Sequence, residues 1–120
     1  MKRALTAIIA VVLFFAVANA QAKVDRSPEK QAARVKLIKQ LQETGYIGDI
    51  NAGSVSKGVV DVFVKPAFMA GEFKDKVNVV SMIYGYYFDG SKITDTVYLR
   101  DSRSGKSVGT FNILRSLRME

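Results

Sequence analysis

The stretch that most constrains this chain is Glu72 to Phe88, EFKDKVNVVSMIYGYYF. Its density of Val, Ile and Tyr is that of a strand, but its period is not. At 100° per residue Met69, Phe73, Val77, Val80, Ile83, Tyr84 and Tyr87 gather on one face. Lys74, Asp75, Asn78, Ser81, Gly85 and Asp89 fall on the opposite one, whereas a period of two mixes apolar and polar residues on both sides. The pattern predicts an amphipathic helix over 72–88, about 25 Å long, whose apolar stripe is the largest outside the N-terminus.

The N-terminus has a different pattern. Lys2 and Arg3 precede an apolar run, Ala4 to Val17, that is short for a bilayer span. Ala18-Asn19-Ala20 then forms a small-x-small cleavage site, with Ala20-Gln21-Ala22 as a second choice. Residues 1–20 read as a signal peptide cleaved after Ala20, which places the chain in the periplasm or outside the cell. The alternative is an uncleaved segment anchoring the protein in the envelope. Residues 21–26 are polar and read as a flexible leader, and 27–120 as one small domain. Cleavage removes Lys2 and Arg3 and lowers the net charge from +7 to +5. The chain has no Cys, so it has neither a lipidated cysteine nor disulfides, and packing alone must hold it together.

Within the domain, Ser27 as N-cap, Pro28 at the first helical position and Glu29 in the first turn predict a helix running to about Thr44. Val35, Leu37, Ile38 and Leu41 form its apolar face; Arg34 intrudes there, with its stem packed and its head in water. Gly45 supplies the stop and Tyr46 folds back on Leu41. Tyr46–Ala52 is a short strand. Val59–Lys65 is a second, with Val60, Val62 and Val64 on one face, and Pro66 ends it. After the central helix, Ile93–Asp101 alternates, Asp101–Lys106 turns around Gly105, and Ser107–Ile113 returns. Leu114–Glu120 either extends that strand or lies as a tail. The expected class is α+β: two helices packed on a four-stranded, mainly antiparallel sheet in the order αββαββ.

Each hint of chemistry is weak. Ser104-Gly105-Lys106-Ser107 resembles the end of a phosphate-binding loop, but Arg100 stands where the first Gly is required and the segment joins two strands. Lys76 lies near the middle of the apolar arc; with a carboxylate such as Asp61 or Asp95 it defines the one enzymatic alternative. Without His or Cys, and with scattered acids, no metal site or cofactor is expected. Tyr86 beside Met82 forms a candidate exposed patch. Arg100, Arg103 and Lys106, with Arg115 and Arg118, make the C-terminal part basic, fit for an acidic protein or an anionic envelope surface. Export and the lack of a reader motif argue against nucleic acid.

From Val64 to Gly109 the chain resembles a group of small exported bacterial proteins of no assigned function. The residues are Pro66-Ala67-Phe68, Lys76, Tyr86-Tyr87 and the run from Leu99 to Gly109, LRDSRSGKSVG. The resemblance implies the helix-then-hairpin order and an envelope location; it brings no catalytic residue and no ligand. The sequence therefore leads to an exported, non-enzymatic binding or accessory protein. Its candidate contact residues are Met82, Tyr86, Arg100, Arg103 and Lys106, and no membrane insertion is expected once residues 1–20 are removed.

Overall fold

The first helix, α1 (Pro28–Glu43), starts where its capping residues place it: the Ser27 side chain accepts from the Lys30 amide. Its end is a complete Schellman motif, with the Gly45 amide donating to the Gln42 carbonyl at 3.2 Å and the Tyr46 amide to Leu41 at 3.0 Å. Gly45 takes φ +76°, the left-handed conformation this stop requires. The computed structural model describes residues 24–120. The expected signal peptide, its cleavage site and leader residues 21–23 lie outside the described residues.

β1 (Ile47–Asn51) leads through a 3-10 turn (Val55–Lys57) into β2 (Val59–Val64). A short α2 (Pro66–Met69) and α3 (Phe73–Tyr87) carry the chain back across the sheet to β3 (Thr96–Asp101), β4 (Ser107–Asn112) and β5 (Ser116–Met119). The α+β class holds, but the sheet has five strands in the order β1-β2-β3-β4-β5, not four. Three pairings are antiparallel, and β2 runs parallel to β3. The parallel pair follows from the connection: a helical crossover returns the chain to the end at which β2 began.

One sheet face carries Val60, Val62, Val64, Val97, Leu99, Phe111 and Leu117 into the core, against Leu37, Ile38 and Leu41 of α1 and the inner face of α3. Phe63 and Tyr98 lie half-buried on the other face, outside that core. Among the described residues no helix is long and apolar enough to cross a membrane.

The central stretch is helical, as its period requires, and Val80, Ile83 and Tyr84 are buried as expected, but between Asn78 and Gly85 burial spreads round nearly the whole circumference, with only Ser81 left half-buried. Val79, Val80, Met82, Ile83 and Tyr84 are buried, and so are Asn78 and Gly85 from the side expected in water. Phe73 and Met69, expected inward, are exposed. The cause is a second packing partner. α3 meets the sheet on one side and α1 on another, and a close helix–helix approach selects a residue such as Gly85 that hydropathy scores as neutral.

Candidate interaction surface

The β3–β4 turn is built for rigidity. Asp101 donates its amide to the Lys106 carbonyl at 2.9 Å and accepts from the Gly105 amide at 2.8 Å. The Asp101 carboxylate takes the Arg103 amide at 2.8 Å, and Ser104 Oγ takes the Lys106 amide at 3.2 Å. Gly105 stands at φ +73°, as the turn reading requires. Arg103 and Lys106 are left exposed on this fixed loop. Arg100 has a different role: its Nε donates to Asp61 Oδ1 across the parallel pair at 3.0 Å, and its Nη1 to the Gly105 carbonyl at 3.3 Å. It braces the turn against the sheet, so a partner meets Arg103 and Lys106 before it meets Arg100.

The expected Met82–Tyr86 patch does not form. Met82 is 0% exposed and belongs to the core, because this part of α3 is covered on nearly every side. Tyr86 is half-buried against the core, its ring edge-on to Tyr87 with centroids 4.9 Å apart. It also sits on the last turn of α3, which the crossover carries to the end of the sheet opposite the hairpin. The two expected contact regions are therefore not brought together.

Nor is the Lys76 pair assembled. Lys76 is half-buried with its Nζ 6.0 Å from the centroid of the Phe68 ring. Asp61 is bound to Arg100 on the far face of the sheet, and Asp95 is buried against Gly58 at the start of β2. Among the described residues no group of acidic side chains could hold a metal ion. A cleft of about 410 Å³ opens beside the hairpin, lined by Gly48, Asp49, Phe63, Lys65 and Ser102. It extends the hairpin surface with one acidic and one basic side chain and an aromatic wall.

Sequence reasoning missed the best-bonded polar cluster, at the C-terminal end of α3. That helix has no basic residue of its own in its last turn. Arg26 supplies one from the leader, donating Nε to the Gly85 carbonyl at 3.2 Å and Nη2 to Tyr86 at 2.7 Å. Gln31 adds a second bond to the Tyr86 carbonyl at 3.0 Å. The Val24 amide donates to the Asp89 carbonyl at 3.2 Å. Residues 24–26 are thus a strap tied across α3, not a flexible leader. The bonds satisfy carbonyls that a helix end leaves open, and a cation there complements the helix dipole.

Beneath the strap, Arg34 is 0% exposed, so its head is not in water as its place in the sequence implied. Nη1 donates to the Asp25 carbonyl and to Gln31 Oε1, both at 2.7 Å. Burial lowers its pKa, opposed by the nearby Asp25 charge. The Asp25 carboxylate is itself held below its ordinary range by the Ser27 amide. This cluster is structural: the bonds it makes go to backbone carbonyls and to the Gln31 side chain of the same chain.

Comparison with family models, curated proteins and solved structures gives no match.

Proposed function

We propose that the chain is a small exported, non-enzymatic binding or accessory protein of the cell envelope, and that its hairpin engages an acidic segment of a partner protein. The observation that carries this reading is the turn at Asp101–Lys106, whose internal hydrogen bonds fix the backbone while Arg103 and Lys106 project into solvent. A pre-ordered loop binds without the entropic penalty of ordering itself. The N-terminal pattern of Lys2, Arg3, the apolar run and Ala18-Asn19-Ala20 supports export. The non-enzymatic reading is supported by Asp61 pairing with Arg100 and Asp95 lying buried against Gly58, the two carboxylates named for the Lys76 alternative.

The test is capture from an envelope extract by residues 21–120, compared with an Arg103→Ser/Lys106→Ser double variant. The expected result is a specific acidic protein retained by the parent, released by salt and lost from the variant. Equal capture by the variant removes the hairpin from the interface. A precursor and a mature form of identical mass would overturn the export reading.

A further inference from the structure

A second surface lies at the opposite end of the sheet from the hairpin. Ile93 is 62% exposed, Leu114 68% and Ile113 39%. The sheet register gathers them: β2 and β3 begin side by side at Val59 and Thr96, and β4 ends near the start of β3, with Phe111 opposite Val97. Ile93 lies in the turn just before β3, closed by the Asp95 amide donating to the Lys92 carbonyl. Ile113 and Leu114 lie in the turn just after β4. That second turn is pre-ordered, because the Asn112 carboxamide oxygen accepts from the Leu114 amide at 3.0 Å and the Arg115 amide at 2.8 Å. Lys57, Lys92 and Arg115 are exposed around these aliphatic side chains. Of the acids at this end, Asp95 is buried and Asp89 accepts from the Ser91 amide and hydroxyl.

The N-terminal strap arrives at the same place. A β-carbon on Gly90 would stand 2.9 Å from Ile113 Cδ1 and 3.5 Å from Val24 Cγ2. Six residues, 18–23, separate Val24 from Val17, the end of the N-terminal apolar run. Fully extended, the span from Val17 to Val24 reaches about 25 Å. A bilayer that holds that run, before or without cleavage, therefore keeps Val24 and this end of the domain within about 25 Å of the membrane.

We infer that this end, Ile93, Ile113 and Leu114 ringed by Lys57, Lys92 and Arg115, is a docking surface for an anionic phospholipid bilayer. Exposed aliphatic side chains enter the interfacial region while Lys and Arg meet the headgroup charge, the combination by which peripheral surfaces hold anionic lipid. The inference adds a second surface to the proposed accessory role. The two are separable, since hairpin and tip share no residue.

Flotation of residues 21–120, which retain every described residue, with vesicles of phosphatidylglycerol and phosphatidylcholine tests it. The protein is expected to float with the mixed vesicles, to stay behind with pure phosphatidylcholine, and to be released at about 0.5 M salt, where screening is strong. Lys92→Ser and Arg115→Ser should each weaken binding about fivefold. Ile93→Asp/Leu114→Asp should abolish it, and Arg103→Ser/Lys106→Ser should leave it unchanged. The chain has no Trp, so Leu114→Trp gives a single-site reporter that does not depend on a loss of binding. Its emission should shift to the blue with phosphatidylglycerol vesicles, while that of Arg103→Trp should not. No flotation of the parent, flotation unaffected by the two Asp substitutions, or a shift at Arg103→Trp without one at Leu114→Trp each overturns the inference.

Discussion

Arg34 lies flat against Gly85: its Nε and Cζ stand 3.1 and 3.2 Å from the point a β-carbon on Gly85 would occupy. The guanidinium is fully buried, and its Nε and Nη2 have no hydrogen-bond partner among the described residues. A charge in that state costs desolvation that its two Nη1 bonds only partly offset. Arg34→Met keeps the length and removes the orphaned donors, and is expected to change stability by less than about 1 kcal/mol or to raise it. Arg34→Ala leaves a cavity and should cost about 2–4 kcal/mol. Gly85→Ala carries a helix-propensity gain of about 1 kcal/mol, yet it should destabilise the parent because the added β-carbon would crowd both the buried guanidinium and Val24 Cγ1, each 3.1 Å away. It should be better tolerated in the Arg34→Ala background. A double-mutant cycle in urea measures this coupling, and additive effects would remove the contact from the account.

The strap has its own signature. Arg26 closes two carbonyls at the end of α3, so Arg26→Ala is expected to cost about 1–2 kcal/mol. The loss should be local. Hydrogen exchange should speed up at Val24, whose amide bonds to Asp89, and at Phe88, whose amide bonds to Tyr84 at 2.7 Å, while the amides of β2 and β3 keep their protection. Unchanged exchange at both positions would show that the strap stays seated without Arg26.

Alkaline pH should find two buried phenols. The Tyr46 and Tyr84 hydroxyls are each pushed up to about 12, first by burial and then by the charge of Asp75 for Tyr46 and of Asp95 and Asp89 for Tyr84. An unfolded tyrosine ionises near about 10. The folded chain therefore disfavours the phenolate. Its stability is intact below about pH 10 and is lost as pH rises toward about 12, by roughly 2–3 kcal/mol for each group. Tyr46→Phe and Tyr84→Phe should shift the alkaline unfolding midpoint upward. Near neutral pH they should be close to neutral or stabilising, since neither hydroxyl has a partner among the described residues. A pH titration followed by circular dichroism decides it, and an alkaline midpoint unmoved in both variants would contradict the cause.

What could be read from the sequence was local chemistry, and what could not was contact between distant elements. Ser27-Pro28 and Thr44-Gly45-Tyr46 fix the limits of α1 because capping involves neighbours only. The Asp101–Lys106 turn was legible for the same reason. The buried face of α3 was not, because it depends on where α1 lies, and Gly85 announces a close approach only once Arg34 is known to sit on it. The strap was missed because a polar leader has no pattern of its own; its bonds to Gly85 and Tyr86 span about 60 residues. β5 was missed at its turn. No Gly marks Ile113-Leu114-Arg115, and Ser116 takes φ +59° without one. The Asn112 side chain makes the turn instead. The alternation that follows, Leu117 inward and Arg118 outward, was visible but too short to stand alone.

That fifth strand is expected to be part of the cooperative core and not a loose end. Leu117 is buried opposite Phe111 on β4, and Phe111 in turn packs on Tyr84 of α3, with ring centroids 5.4 Å apart. Leu117→Ala should therefore cost about 2–4 kcal/mol. Leu114→Ser, three residues earlier but exposed in the turn, should change stability by less than about 0.5 kcal/mol. Asn112→Ala should fall between them, at about 1–2 kcal/mol, because it frees two amides that the carboxamide now holds. Urea unfolding of the three variants orders them. A Leu117→Ala effect no larger than that of Leu114→Ser would mean that β5 frays from the sheet in solution and that β4, with Phe111 against α3, is the true edge of the folded core.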